Sequence, residues 1–297
     1  MQFESKHTRF RAYQLKTKGA SFSYWDGATF TLGEARLNDD NISSICHELK
    51  KAKSEANHCV ITLHITSWDD DHCNSKELHK ILTCLTPTRI EIPGYEPHTD
   101  NGKECYSIIS DYIGNNDASC LEFTKECLSQ LPTATNWGCN NVCWIKGTYT
   151  NSNNNSSIQL FRSGCFTVLS LGDVESKEIA NSLLTSSIMR NEVDILILPH
   201  HGADNGFITD DFLKKVSPKA AIALCDWGNQ YEHPSSSITR LLRNNGIPYY
   251  STKQGDVIIE SISLHNGSFK IWNYISDGEI CQNSSGYIHS KKGLFFS

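Results

Sequence analysis

Residues 61–73 read ITLHITSWDDDHC. A run of strand-forming residues ends in three adjacent aspartates, a histidine and a cysteine. Carboxylates this close repel one another unless positive charge sits among them. A metal ion, cationic partners or water would each give relief. Three later stretches end in similar chemistry: LGD stops at Asp173, LPHHG carries His200 and His201, and EHP carries His233 beside Pro234. Each has an ordinary reading alone, as a turn aspartate after glycine, a loop pair of histidines or a helix cap. Together they set imidazole and carboxylate at one end of successive strands, where open α/β folds bind ligands. That donor mixture suits zinc, manganese or iron, and a cation would relieve the crowded aspartates.

The elements that must carry these residues are legible in outline. Residues 8–37 are rich in aromatic and β-branched residues broken by glycine and read as strands and a turn. NISSICHELKKAK (41–53) has a helical period with basic residues at its end. CVITLHIT is a strand, and SKELHKILTCL (75–85) is a helix with Ser75 as the expected N-cap. The acidic loop therefore lies between a strand end and a helix start. Prolines and glycines break up 86–150; EIPGYEPHTDNGKEC reads as a long loop and 118–131 as a helix. Tyr95, His98, Trp137 and Trp144 there would form either a binding wall or packing beneath a loop. SSIQLFRSG and CFTVLSLGD are strands joined at Ser163–Gly164. SKEIANSLLTSSIMRN is a helix and DILILPHHG a buried strand. ITDDFLKKVSP is a helix capped by Thr209, AAIALCDWG a strand, and HPSSSITRLLRNNG a helix stopped at Gly246. Strands close the pattern to residue 275. Strands alternate with helices and no linker stands out, so one domain over 1–297 is expected, with a core at 10–275 and a polar extension at 276–297.

Composition bounds the function. The chain has 297 residues, 38% of them hydrophobic, enough for a real core. No apolar run reaches membrane-spanning length and the N-terminus lacks a signal-type apolar stretch, so a cytoplasmic protein is expected. The twelve cysteines contain no CxxC pair; Cys139 and Cys143 come closest, and mostly reduced, buried thiols are expected. A formal net charge of −6 argues against a broad nucleic-acid footprint but leaves room for a local basic groove.

Six ordered motifs resemble the metallo-β-lactamase fold, in the branch typified by the hydrolase domain of the competence DNA-uptake channel protein. They are TSWDDDH (66–72), NNNSSIQL (153–160), LGDVES (171–176), LPHHGAD (198–204), EHPSSS (232–237) and QGDVII (254–259). The resemblance implies a four-layer αββα sandwich with a metal site at one edge, holding one or two divalent ions, zinc or manganese. By position it implies that Asp71, His72 and His233 hold the second metal and that Asp173 bridges. Asp69 would serve the first site, with His200 and His201 lining the centre and His201 nearer the ion. One position departs from the pattern: the family's first histidine falls on Ser67. His64 cannot replace it, because residues three apart on a strand face opposite ways.

A metal-dependent hydrolase of phosphodiester bonds, a nuclease or nucleotide phosphodiesterase, follows from the resemblance. Its catalytic residues would be Asp71, Asp173, His200 and His201. Two rival readings follow. Ser67 motivates a weakened relative that binds a ligand or partner. The versatility of the fold motivates a hydrolase of a lactam, lactone or thioester. The last residues, ending Leu294-Phe295-Phe296, would dock on the domain or on a second subunit.

Overall fold

The computed structural model describes residues 7–123, 141–144, 149–226, 228–262, 267–275 and 279–292, with the backbone alone over 141–144. Two sheets stack face to face. Among the described residues the larger begins with β1 (Arg9–Ala12), β2 (Phe22–Trp25) and β3 (Thr29–Gly33). It continues through β4 (Val60–His64), β5 (Arg89–Pro93) and β6 (Ser119–Phe123). On its other side lie β13 (Val257–Ser261), β14 (Ser268–Tyr274), β15 (Ile280–Asn283) and β16 (Ile288–His289). Its order is β15-β14-β13-β1-β2-β3-β4-β5-β6, with β16 on β14. The smaller sheet runs β12-β11-β10-β9-β8-β7. Its strands are β7 (Asn141–Trp144), β8 (Ile158–Phe161), β9 (Val168–Ser170), β10 (Ile195–Ile197), β11 (Ala220–Ala223) and β12 (Tyr249–Ser251).

Alternation along each strand explains the stacking. Ile195 and Ile197 face Phe10, Phe22 and Ile259 of the large sheet, whereas Leu196 between them faces the outer helices. Phe22 meets Phe161 edge-on across the sandwich, centroids 5.7 Å apart. Outside the large sheet pack α1 (Asn41–Glu55), α2 (Ser75–Leu85) and α3 (Asp100–Asn115), burying Ile45, Leu49, Leu78, Leu82, Cys105 and Ile109. Outside the small sheet pack α4 (Lys177–Leu183), α5 (Ser187–Glu192), α6 (Asp210–Val216) and α7 (Ser236–Asn244). Helix, sheet, sheet and helix make the four αββα layers that the resemblance implies. Among the described residues no helix is long and apolar enough to cross a membrane.

Several expectations need correction. The N-cap of α2 is Asn74, whose side chain accepts from the Lys76 and Glu77 amides; Ser75 is already helical. Of residues 91–105, expected as a long loop, 91–93 belong to β5 and 100–105 begin α3, capped by Thr99. Residues 119–123, expected as helix, form β6 parallel to β5; the remainder of that stretch lies outside the described residues. The single helix expected over 176–191 is two, α4 and α5. Cys46 on α1 is bonded to Cys84 on α2, where mostly reduced thiols were expected; Cys59, Cys73, Cys105, Cys120, Cys225 and Cys281 form no disulfide.

Candidate metal centre

Strands β3, β4 and β5 run parallel, as do β9, β10, β11 and β12. Their carboxyl ends open on one edge of the sandwich. Asp69–His72 follow β4, Asp173 follows β9, His200 and His201 follow β10, and His233 lies beyond β11.

The three aspartates part company. Asp69 accepts a hydrogen bond from Ser67 Oγ at 2.8 Å. Asp70 pairs outward with Lys18 at 2.9 Å and accepts from Asn74 Nδ2. Asp71 turns inward, Oδ2 3.7 Å from His201 Nε2. Arg36, itself paired with Glu77, donates to the Asp70 carbonyl, and the Ala20 amide donates to that of Asp71. Side-chain cations and local hydrogen bonds thus relieve part of the repulsion.

His72 lies at the floor. Its Nδ1 is 3.1 Å from Glu34 Oε1, a carboxylate that also takes the Thr66 amide and hydroxyl. Its Nε2 is 3.0 Å from Asp173 Oδ2, without hydrogen-bond geometry. His201 Nδ1 is 2.7 Å from the Leu224 carbonyl, which fixes the ring and leaves Nε2 pointing inward, 4.0 Å from Asp173 Oδ1. Among the described residues, His72, Asp173 and His201 are the set whose ligand atoms all fall within 4.8 Å of one another. The backbone sets this up: His200, His201 and Gly202 are consecutively left-handed, with φ of 47°, 57° and 90°.

The other expected residues stand around this set. Asp71 borders it through His201. His200 turns to Glu175, 2.6 Å away. His233 stacks on Tyr231 and lies 6.0 Å, ring to ring, from His200, outside the close triplet. His64 is buried against Glu91, and His98 lies over Tyr95, far from ligand geometry. Trp137 and the Trp144 side chain lie outside the described residues.

Electrostatics mark a place for a cation. Burial pushes Asp173 up, but the charges of His72 and His201 bring it down to about 2. Burial likewise opposes Asp71, which the neighbouring His201 and the charge of His72 hold far below the carboxylate range. Against burial, Asp173 and Glu34 raise His72, and Asp173 and Asp71 raise His201. Buried carboxylates thus gather around two imidazoles, and a divalent ion would neutralise their charge. His72 Nε2, His201 Nε2 and His233 Nδ1 are buried without a hydrogen-bond partner, as nitrogens awaiting a cation would be. The donor set therefore fits a divalent metal. Beside it opens a cavity of about 320 Å³ lined by Lys18, Asp71, His200, His201, Tyr231 and His233, among others.

Glu34, Glu175 and the Leu224 carbonyl were not singled out by sequence reasoning. Their partners are remote along the chain; a glutamate directly after a strand glycine was the sole local cue to Glu34.

No family model matches the chain. ComE operon protein 3 of Bacillus subtilis (strain 168) is 27% identical over 135 residues, covering 45% of this chain and 17% of that protein. The match therefore spans under a fifth of the relative. Among solved structures, a CmlA β-hydroxylase E377D mutant superposes with a TM-score of 0.46 at 12% identity, over 82% of this chain and 52% of that one. A protein of Parabacteroides distasonis ATCC 8503 described as a metal-dependent hydrolase gives 0.37 at 12% identity, over 82% and 97%. Superpositions this loose carry no argument about mechanism. The chain is a four-layer αββα sandwich with sequence similarity to a short part of ComE operon protein 3.

Proposed function

We propose that the chain is a metal-dependent hydrolase of phosphodiester bonds, with a nucleotide or nucleic-acid strand as substrate. The observation that carries this reading is the convergence of His72, Asp173 and His201, with two unpartnered Nε2 atoms, beside an open cavity that His201 lines. A bound divalent ion would lower the pKa of a coordinated water from about 15.7 toward 7 and polarise a phosphoryl oxygen. Asp173 would help hold the ion, and Asp71 beside it would accept a hydrogen bond that orients the attacking water. His200, held by Glu175, faces the cavity and donates to the leaving oxygen. Lys18 at the rim and Lys253, whose charge His233 feels, favour an anion. A second cavity of about 690 Å³ shares Tyr231 with the first and is lined by Arg243 and Lys253. Tyr231, 68% exposed, offers a face for a base to stack on.

The test is hydrolysis of bis-p-nitrophenyl phosphate and of single-stranded DNA with manganese or zinc, beside an Asp173→Ala control. Turnover that needs the metal and vanishes in the control is expected. Absence of metal-dependent turnover on every phosphodiester tried would sink the reading.

A further inference from the structure

Ser67 stands where the resemblance implies a metal-binding histidine, and the structure shows what surrounds it. A hydroxyl has one proton to donate and two lone pairs to fill. The Ser67 proton goes to Asp69 Oδ2 at 2.8 Å. One lone pair takes the Asp69 amide at 3.2 Å. The other faces the Tyr95 hydroxyl at 3.0 Å, and with the Ser67 proton already committed, Tyr95 is the donor. Tyr95 in turn accepts the Trp68 amide at 3.2 Å, while its carbonyl takes the Trp68 indole N–H at 2.8 Å. Every hydrogen-bonding position on Ser67 is filled. Tyr95 arrives from the loop after β5; the Trp68 amide holds its hydroxyl and His98 lies against its ring.

The unpartnered buried atoms tell the complementary story. His72 Nε2, His201 Nε2 and His233 Nδ1 lack partners; Ser67, Asp69 and Tyr95 contribute no such atom. A cation site and a satisfied hydrogen-bond cluster lie side by side.

We propose that this chain holds one divalent ion rather than two, the position that Asp69 would serve being closed by the Tyr95–Ser67–Asp69 hydrogen-bonded cluster. Asp69 then serves as the acceptor that anchors the cluster and not as a ligand. Tyr95 is a positioning residue that fixes the start of the acidic loop, and through it the approach of Asp71 and His72. The inference rests on the metal-centre reading above and deepens it by fixing the number of ions.

The full chain, stripped with a chelator, is dialysed against manganese and its metal content is measured by mass spectrometry. Its paramagnetic resonance spectrum is recorded at saturation. One ion per chain with an uncoupled manganese signal is expected. Two ions with an exchange-coupled signal would overturn the inference while leaving the hydrolase reading intact. No bound ion would overturn both. The double variant S67H/Y95F, checked for folding by circular dichroism, is expected to rise from one ion to two. A folded double variant that stays at one would overturn the cluster as the cause. Should that variant not fold, the wild-type stoichiometry and spectrum decide alone.

Discussion

Glu34 shows how one buried carboxylate commits a ligand. It follows β3 in a left-handed conformation, φ 68°, and is almost fully buried. With one oxygen on the Thr66 amide and the other on the Thr66 hydroxyl and His72 Nδ1, it fixes the ring so that Nε2 faces Asp173. A carboxylate in this outer position typically contributes about 10–100-fold to metal affinity. Glu34→Ala should therefore weaken metal binding by about that factor in a chelator competition, while Glu34→Gln, which keeps an acceptor, should lose less. Unchanged affinity in Glu34→Ala would refute the role. At this scale sequence and structure meet unevenly. Histidines and aspartates at successive strand ends were visible in one dimension because the residue types are diagnostic. The divergence of Asp69, Asp70 and Asp71 was not, because it depends on Ser67, Lys18 and His201, which reach them only through the fold.

At the scale of elements, the loop after β10 does the positioning. Gly202 has φ 90°, and a Cβ placed there would lie 2.7 Å from Pro234 Cβ. Its carbonyl accepts the Ser235 amide at 3.0 Å, so this loop and the His233 loop share one contact. Gly202→Ala should destabilise the chain by about 1–3 kcal/mol in urea unfolding through backbone strain alone. It should also weaken metal binding, since His201 precedes it. A variant as stable as wild type would show that the loop relaxes freely.

A second element-scale clasp ties β1 to α1 and β13. His7 contacts Glu260 at 3.0 Å and Glu55 at 3.2 Å. Bonding to Glu260 raises His7 from its usual 6.5, against partial burial. Bonding to His7 lowers Glu260 from 4.5 to about 2. The histidine's stabilisation is complete below 6.5 and is lost as pH rises through its raised folded value. The glutamate's is complete above 4.5 and is lost as pH falls toward about 2. The stability gap between wild type and His7→Ala should thus be widest between about pH 4.5 and 6.5 and narrow on either side. A gap that grows above neutral pH would contradict the assignment. Elements with a clean period were legible from sequence, as with α1, α2, α6 and α7. Helix α3 was hidden by its neighbouring prolines and Gly102, although Cys105, Ile108, Ile109, Tyr112 and Ile113 keep a helical spacing. The split between α4 and α5 at Thr185–Ser186 lay within a run whose composition is helical throughout; Ser186 begins a new turn because Leu184 and Met189 both reach the same core.

Across the whole molecule, the polar segment beyond residue 275 is built into the sandwich. β15 and β16 extend the large sheet at β14. Ser290 Oγ and the Lys291 amide then donate to Asp194, at 2.7 and 2.8 Å, just ahead of β10. Asp194 also takes the Thr167 amide at 3.0 Å. Lys292 is buried beside it and donates to the Gly164 carbonyl at 2.8 Å. Burial pushes Lys292 down to about 8, while Asp194 and Glu192 oppose the fall. The segment therefore pins the large sheet to the root of the strand that presents His200 and His201. Leaving buried hydrogen-bonding groups without their partner costs about 1–3 kcal/mol. Asp194→Ala should lose an amount of that order in urea unfolding, and so should a chain cut after Tyr287. Because both changes break the same contacts, the combined variant should lose less than the sum by about 1 kcal/mol or more. Strict additivity would mean that Asp194 and the C-terminal segment stabilise the fold independently, and the anchor would have to be sought elsewhere.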